Sequence, residues 1–452
     1  MTILAPEIET ARGLSTLTAR GQIALLKGLT LHADDLPLPI GSLVRVHAPS
    51  ETPERGALAE VVGFTPEHTI LMLLGNSTGI RPGDAVTGRA AAPTIPVGVR
   101  MLGRVVDGLG RPIDRAGPIH ATVRRALSPA PIAPLRRRRI NQPLHTGVRA
   151  IDLCTTLGKG QRIGIFAGPG VGKSSLLADI AKGSTADVAV IALIGERGRE
   201  VGDFIAHTLG PEGLARAVVV CATSDEPPLL RIRAALAAST IAEYFRDAGR
   251  DVLLIMDSVT RLAHAQRQVG LAVGEPPATK GYTPSVFALL PQLLERAGTI
   301  EGAGSITALY SILVDGDDMT EPIADAARGI LDGHVILARS LAQRGHFPAI
   351  DVLDSVSRVA DDVTDREHQS ARRELLAHLA AYKQVEDLIQ IGAYAKGSNK
   401  KADAAETNMA EILQILRQSR GDATSFPKAR EQLLTLAAKL AQSPPASRTQ
   451  KK

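Results

Sequence analysis

The sequence has little that would form disulfides, bind structural zinc or cross a membrane. Its two cysteines among 452 residues, Cys154 and Cys221, lie in apolar surroundings without the spacing of metal ligands, so we predict two buried thiols. No uninterrupted apolar run approaches the roughly 18 residues of a membrane-spanning helix, and the N-terminus lacks the basic-then-apolar order of a secretory signal. We therefore expect the protein to stay in the cytoplasm.

What is present is typical of a globular protein. Hydrophobic residues make up 44% and charged residues 22% of the chain, which argues against disorder outside its ends. The net charge of +5 is small for this length. A chain of 452 residues is too long for one small core, so we expect two or three domains.

Turn residues separate short apolar segments in the first part of the chain. These segments lie at 41–47, 58–64, 69–75 and 84–89. Their spacing predicts a small β-barrel within residues 1–93. The stretch at 4–27 is mixed and weakly amphipathic, and we interpret it as a leading arm that offers at most a contact surface.

Proline and glycine recur between residues 92 and 141, and four arginines run from Arg136 to Arg139. Polybasic runs bind nucleic acid or acidic lipid in some proteins, but in a proline-rich connection we favour a solvated strand edge. We interpret this segment as the entry to a second domain at residues 94–364.

From Gln161 onward, strand patterns alternate with helical patterns. The strand patterns lie at 162–166, 188–194, 217–221, 252–256, 305–314 and 334–338, and a long helix is predicted at 229–248. This alternation predicts an α/β domain, in which a parallel sheet is covered by helices on both faces. After about Thr364 alanine- and leucine-rich helical patterns take over, so we predict a helical domain at 365–452 that is frayed from Ser443.

A glycine-rich loop follows the strand pattern at 162–166. It reads Ala167-Gly168-Pro169-Gly170-Val171-Gly172-Lys173-Ser174-Ser175. Glycines let successive backbone N–H groups point at phosphate oxygens, and the next helix adds the positive end of its dipole. We predict that residues 168–175 bind ATP, with Lys173 on the β/γ-phosphates and Ser174 on Mg²⁺. The strict pattern has glycine where Ala167 stands, and a plain turn before a helix is the alternative.

Two carboxylates follow neighbouring strand patterns. Asp257 closes the run at 252–256, where a parallel strand delivers a side chain to the phosphate end of the sheet, so we predict that it holds Mg²⁺ and does not merely cap the next helix. Glu196 follows the strand pattern at 188–194 and is placed to orient the attacking water, with Arg197 meeting the γ-phosphate. On spacing alone, a surface salt-bridge network explains Glu196 and Arg197 equally well.

The sequence also resembles a known family over roughly residues 25–395. Besides the glycine loop, the matching motifs are GVRAID at 147–152, GQRIG at 160–164, GERGREV at 195–201, LLIMDSVTR at 253–261 and GHFPAID at 345–351. In this order they resemble the catalytic subunits of rotary ATPases. The segments 274–287 and 321–333 look most like the flagellar and type III protein-export ATPases.

This resemblance implies a RecA-like P-loop fold for the central domain and a ring of six identical chains with ATP and Mg²⁺ between neighbours. By the same resemblance, one face of each site contains Lys173, Ser174, Glu196, Arg197, Asp257 and Arg261. Arg358 matches the arginine finger that a neighbour inserts toward the γ-phosphate. Phe347 matches the aromatic residue that packs on adenine, where many relatives have tyrosine.

The implied activity is ATP hydrolysis that releases export substrates from their chaperones or unfolds them at a membrane gate. The implied partners are further copies of this chain, regulator and stalk proteins of an export apparatus, and substrate–chaperone complexes, with peripheral contact at an inner-membrane export gate. The segments 274–287 and 321–333 favour a flagellar over an injection-type apparatus. Residues 395–403 lack the acidic loop with which rotary catalytic subunits touch their rotor, which argues against ATP synthesis.

Two other function classes stay open. A hexameric RNA translocase of the transcription-terminator type shares the core, but it needs bases stacked on aromatic side chains in its barrel. Here the barrel offers Phe64 and the chain has no tryptophan, so we expect no nucleic-acid partner. A non-catalytic ring subunit would bind nucleotide only as a structural ligand, and both Glu196 and Arg358 speak against it.

Overall fold

The computed structural model describes residues 18–48, 50, 53–120, 123–314, 318–422 and 424–442. The first part of the predicted arm, up to residue 17, and the predicted frayed tail from Ser443 lie outside these residues. Along the described chain, a barrel is followed by an α/β unit and then by a group of helices, so the predicted fold class is confirmed.

Six strands close the N-terminal barrel in the order β1-β2-β5-β4-β3-β6. Their bounds are Thr18–Lys27 (β1), Thr30–Asp34 (β2), Leu43–His47 (β3), Ala57–Phe64 (β4), Thr69–Leu73 (β5) and Ala85–Arg89 (β6). Successive side chains of a strand face opposite sides, and the inward set, including Leu31, Val44 and Val86, forms the barrel core. The four predicted strands are confirmed.

The interpretation of residues 4–27 as an arm is wrong from Thr18 onward. Residues 18–22 pair with β6, and residues 22–27 pair with β2, so β1 closes the barrel. Its burial alternates weakly because most of its side chains are exposed or half-buried. The apolar pattern that marks the other strands is therefore missing here.

The central sheet has the strand order β19-β18-β12-β17-β15-β13-β14-β8, and β16 pairs with β17. The bounds are Val105–Val106 (β8), Arg162–Ala167 (β12), Val188–Ile194 (β13), Ala217–Ala222 (β14), Asp251–Asp257 (β15), Gly298–Thr299 (β16), Ser305–Leu313 (β17), Gly333–Leu337 (β18) and Ile350–Ser357 (β19). The strands from β18 to β8 run parallel, as predicted, whereas β16 and β19 are antiparallel to their neighbours.

Two short antiparallel pairs lie outside this sheet. They join β7 (Thr94–Val97) to β9 (Val123–Ala126) and β10 (Pro143–Leu144) to β11 (Leu157–Gly158). The helices of the α/β unit are α1 (Arg149–Cys154), α2 (Lys173–Gly183), α3 (Gly198–Asp203), α4 (Gly210–Ala215), α5 (Pro228–Asp247), α6 (Val259–Ala272), α7 (Pro284–Leu294), α8 (Pro322–Ile330) and α9 (Arg339–Gln343), with a π-helical turn at Phe204–Leu209. The C-terminal helices are α10 (Arg366–Gln390), α11 (Lys400–Thr407), α12 (Met409–Leu416) and α13 (Phe426–Gln442).

Strand β13 shows how the sheet is covered on both faces. Val190 and Ala192 belong to the core that contains α5 and α6, whereas Ile191 and Leu193 belong to the core that contains α2 and the C-terminal helices. Because β13 is buried on both sides, it reads as a continuous apolar run.

The arginine run binds the α/β unit. Arg137 donates to the carbonyl of Ala297 at 2.9 Å, Arg138 donates to the carbonyl of Ala303 at 3.0 Å, and Arg139 pairs with Asp362 at 2.6 Å. The interpretation as a solvated strand edge is therefore wrong for Arg137, because its guanidinium is mostly covered. Its partners lie about 160 positions away in sequence, where no local pattern reveals them.

Candidate active site

The glycine loop joins the end of β12 to the start of α2. Gly170 and Gly172 have φ angles of 81° and 93°, a conformation that side chains with a Cβ atom rarely adopt. The carbonyl of Gly172 accepts the N–H of Leu176 at 3.0 Å as a first bond of α2, so the earlier N–H groups have no helical partner. This arrangement suits an anion such as a phosphate.

Lys173 reaches across the ends of two strands. Its Nζ lies 2.5 Å from Oδ1 of Asp257, the last residue of β15, and 3.2 Å from Oγ of Ser311 on β17. Ser311 in turn donates to Asp257 Oδ1 at 2.6 Å. The three side chains form a closed set at the carboxyl ends of parallel strands, where α/β folds bind phosphates.

The residues predicted to bind Mg²⁺ have free oxygens. Asp257 Oδ2 makes no hydrogen bond with the described part of the chain, and Ser174 is exposed one position beyond Lys173. Among the described residues no cluster of three acidic, histidine or cysteine side chains forms a metal cage. The donor set therefore fits a cation shared with phosphate oxygens, which is the usual arrangement for Mg²⁺.

Glu196 lies beside this set. Leu193 on β13 pairs with Asp257 on β15, which brings the segment after β13 to the same edge. Arg261, in the first turn of α6, donates to the carbonyl of Gly195 at 2.6 Å, and its Nε lies 3.2 Å from Oε1 of Glu196. Neither Nε nor Oε1 has an aligned hydrogen-bond partner in the described structure. Arg261 thus holds the backbone of this turn and leaves the Glu196 carboxyl weakly engaged.

The Glu196 carboxyl is a proton acceptor near neutral pH. Burial, together with the nearby charge of Asp257, raises its pKa to about 7, although Lys173 and Arg261 act in the opposite direction. A general base is most effective when its pKa lies near the working pH. Glu196 therefore has both the place and the proton affinity for taking a proton from water.

Arg197 does not join the set. Its side chain is 76% exposed and pairs with Glu200, one turn along α3, at 3.3 Å. The structure therefore brings Lys173, Glu196, Asp257 and Arg261 together and leaves Arg197 at the surface.

The ring of Phe347 lies beside Gly172 of the glycine loop. It is 48% exposed, and the ring would lie 3.8 Å from a Cβ atom added to Gly172. Both residues line a cavity of about 1520 Å³ whose far wall comes from the segment between α12 and α13. An exposed ring beside a phosphate loop is suited to stacking on a nucleotide base.

Arg358 lies at the opposite end of the sheet, beside the amino ends of the parallel strands β12 and β18. It follows Ser357, which pairs with Gly333 at the start of β18, and its N–H donates to the carbonyl of Asp332 at 3.0 Å. The Asp332 carboxylate also accepts the N–H of Arg162, the first residue of β12. The length of β12, roughly 20 Å for six residues, therefore separates Arg358 from the glycine loop of its own chain. Its guanidinium has no hydrogen bond or ion pair with the described residues.

Sequence reasoning missed Ser311. The available signal was a serine near the carboxyl end of the buried strand β17, which is otherwise largely apolar there. It also missed the cavity wall after α12, which no local motif marks.

A glycine-rich phosphate loop, a lysine on a strand-end aspartate and a half-buried glutamate beside them are the features of a P-loop ATPase. The pattern of the ATP synthase alpha/beta family, nucleotide-binding domain, matches residues 147–357, and that of the T3SS EscN ATPase C-terminal domain matches residues 364–435. The chain belongs to the flagellar and type III secretion ATPases, and it is an ATPase.

Relatives with these names match nearly the whole chain. The flagellum-specific ATP synthase of Treponema pallidum (strain Nichols) is 50% identical over 406 residues, which is 90% of either protein. The type 3 secretion system ATPase of Xanthomonas euvesicatoria is 45% identical and covers 95% of this chain and 98% of its own length.

Solved structures of a type III secretion ATPase have the same fold as this chain. The assembled ATPase EscN from the type III secretion system of enteropathogenic E. coli has a TM-score of 0.86 and 45% identity, and the match covers 92% of this chain and all of that one. EscN in complex with its central stalk EscO matches with a TM-score of 0.85. Within the described ranges, none of the helices has the length and apolar character that a transmembrane span needs.

Proposed function

We propose that this chain is the homohexameric motor of a flagellar protein-export apparatus, in which ATP hydrolysis between subunits releases substrates from their chaperones. The observation that carries the proposal is the position of Arg358. Its exposed guanidinium lies at the edge of the sheet opposite the glycine loop, so it serves a site on a neighbouring subunit.

We assign the following roles at that shared site, which the geometry supports. The glycine loop at 168–175 and Lys173 bind the phosphates, and Phe347 stacks on adenine. Ser174 and Asp257 would hold Mg²⁺, which would neutralise developing charge on the phosphates. The oxygen of the attacking water bonds to the γ-phosphorus, and the bond between that phosphorus and the ADP oxygen breaks. Glu196 accepts the proton that the water loses. Arg261 positions the turn that carries Glu196.

Arg358 of the neighbour stabilises the charge on the transferring phosphoryl group. An arginine finger is worth about 10³ to 10⁵ in rate in related chemistry. Arg197, exposed beside the same turn, is free to leave Glu200 for the γ-phosphate, since such exposed pairs contribute little stability.

The export role is supported by the relatives. Proteins named flagellum-specific ATP synthase and type 3 secretion system ATPase match over most of the chain, and EscN is assembled and binds a stalk. We extend to this chain a ring assembly, a stalk partner, a regulator, substrate–chaperone complexes and peripheral contact with the membrane at the export gate. Over about nine tenths of the chain, the flagellar relatives are 47–50% identical and the type 3 secretion relatives are 43–45% identical, which favours the flagellar apparatus.

A subunit-mixing experiment tests the shared site. Lys173→Ala removes the phosphate contact and leaves the finger, whereas Arg358→Ala removes the finger and leaves the phosphate contact. We expect each variant alone to lack ATP turnover and a 1:1 mixture to recover it, because roughly a quarter of the interfaces in a random ring combine two intact halves.

The control is a mixture of Arg358→Ala with the double variant Lys173→Ala/Arg358→Ala, which has no intact interface and should stay inactive. Full activity of Arg358→Ala alone would contradict the proposal. Stimulation of the wild type by single-stranded RNA would instead support the translocase class.

A further inference from the structure

The segment between α12 and α13 reaches the phosphate loop from the C-terminal side of the molecule. Nη2 of Arg420 donates to Oγ of Ser175, although the two residues lie 245 positions apart in sequence. Ser175 belongs to the first turn of α2, directly after Ser174. A cationic side chain from the C-terminal helices therefore touches the loop that binds the phosphates.

Arg420 has donors to spare. Its side chain is exposed, and no carboxylate of the described residues lies within ion-pair distance of it. Guanidinium carries five N–H donors in a planar fork that matches phosphate oxygens. One donor engages Ser175, so the others are available to a ligand in the cavity.

The position of Arg420 selects one part of the nucleotide. It lines the cavity together with Phe347, Gly172 and Ser175, which is the base side of the loop. The side chain of Lys173 turns the other way, toward Asp257 at the γ-phosphate side. A nucleotide with its base on Phe347 and its γ-phosphate beside Lys173 would therefore bring its α-phosphate, which lies between them, nearest to Arg420.

The loop that carries Arg420 is anchored by a buried arginine. Arg149, in the first turn of α1, is 8% exposed. It donates to Oδ2 of Asp422 at 2.6 Å, to Oγ1 of Thr424 at 2.9 Å and to the carbonyl of Ile415 at 3.2 Å. Its charge is thus matched by partners on both sides of Arg420, which is the condition for a buried cation to be stable.

The side chain of Gln418 also holds this loop through hydrogen bonds. Its Oε1 accepts the N–H of Arg149 at 2.8 Å, and its Nε2 donates to the carbonyls of Gly147 at 2.7 Å and Asp422 at 2.9 Å. Because the backbone is held before and after Arg420, little conformational freedom remains to be lost when a ligand binds.

We propose that Arg420 is a nucleotide-binding residue that donates hydrogen bonds to the α-phosphate of ATP and ADP, and that Arg149 and Asp422 position it. The α-phosphate does not react, so Arg420 binds substrate and transition state equally. Its contribution appears in affinity and not in the chemical step. The proposal depends on the ATPase activity of the chain and is independent of export.

The first test is equilibrium binding of a fluorescent ADP analogue to the purified full-length chain. Arg420→Ala should weaken binding about tenfold, the usual value for a hydrogen bond to a charged group, and Arg420→Lys should recover part of the loss. Lys401→Ala, which removes an exposed cation from α11, should bind like the wild type. Equal affinity of Arg420→Ala and wild type would overturn the proposal, as would equal losses in the alanine and lysine variants.

Steady-state turnover gives a second measurement. Arg420→Ala should raise KM about tenfold and leave kcat unchanged, because the contact is uniform. A fall in kcat at constant KM would show that Arg420 acts on the reacting phosphate and would overturn the assignment to the α-phosphate.

The positioning role is tested with Asp422→Asn, which removes the ion pair to Arg149 and keeps the shape of the side chain. This variant should weaken binding of the ADP analogue in the wild-type background and have no further effect in Arg420→Ala, because coupled residues are not additive. Additive losses in the double variant would show that Asp422 acts without Arg420. Thermal unfolding of each variant confirms that it is folded.

Discussion

Strands β15 and β17 carry the same arrangement of side chains at both of their ends. In each case an aspartate of β15 accepts a hydrogen bond from a serine of β17 and pairs with a lysine. At the carboxyl ends these residues are Asp257, Ser311 and Lys173, with distances of 2.6 Å for serine and 2.5 Å for lysine, and at the amino ends they are Asp251, Ser305 and Lys159, with distances of 2.7 and 2.6 Å.

The two sets differ in their surroundings. The Asp257 side chain is 4% exposed and that of Asp251 is 27% exposed. Lys173 begins a helix behind a glycine loop, whereas Lys159 lies in a turn between Gly158 and Gly160. The preceding glycine loop and the neighbouring carboxylate of Glu196 are present only at the carboxyl ends, and we expect them to distinguish a nucleotide site from a structural ion pair.

Among the residues around the two sets, the largest effect should come from Glu196, which has no counterpart at the amino ends. Glu196→Gln keeps the size of the side chain and removes the proton acceptor, so we expect turnover to fall about 10² to 10⁴-fold. Binding of the fluorescent ADP analogue should stay unchanged. Near-normal turnover in this variant would mean that another group accepts the proton.

The same carboxyl predicts opposite pH dependences of rate and stability. Because its pKa is raised to about 7, wild-type turnover should rise with pH to a plateau above about 7, and Glu196→Gln should lack this rise. Between about pH 4.5 and 7 the folded protein keeps a proton that the unfolded chain has released, so this group makes the free energy of unfolding decrease as pH increases. Denaturant titrations of the nucleotide-free protein and of Glu196→Gln would measure the difference.

Alanine variants of Lys173 and Lys159 allow a direct comparison of the two sets. Lys173→Ala removes the amine that we assign to the phosphates and should lower turnover about 10² to 10³-fold. Lys159→Ala removes a partly exposed ion pair and should cost about 1 kcal/mol of stability or less, with normal turnover. Equal losses of turnover in the two variants would mean that the two ends of the strands act as one unit.

The two serines should show the smallest effects. Ser311→Ala leaves Lys173 and Asp257 with one partner fewer, and we expect turnover to fall about tenfold. Ser305→Ala should lower the free energy of unfolding by about 1 kcal/mol and leave turnover unchanged. A Ser311→Ala variant with normal turnover would show that the lysine–aspartate contact alone fixes the geometry.

Sequence reasoning recovered what short-range patterns encode. The apolar runs of β13 and β15 predicted buried parallel strands, and the glycine loop predicted the turn before α2, because both depend on neighbours in the chain. Strand β1 was not predicted, because its side chains are largely exposed and its position depends on pairing with β2 and β6.

Contacts between distant segments could not be predicted. Arg137 binds a carbonyl 160 positions away, and Arg149 binds a loop more than 260 positions away. Neither arginine has a partner close in sequence from which its burial could have been predicted. The resemblance to export ATPases supplied Arg358 and Phe347, and the structure added their separation across the sheet, which no pattern in the sequence contains.

The cavity beside Phe347 also bears on how the protein is made. One wall of the cavity is synthesised with the glycine loop and the other with Arg420, 245 positions later than Ser175. At roughly 5 to 20 residues per second, a ribosome needs about 12 to 50 s to make the intervening chain. During that interval the nascent protein has the glycine loop but lacks the wall of the cavity that carries Arg420.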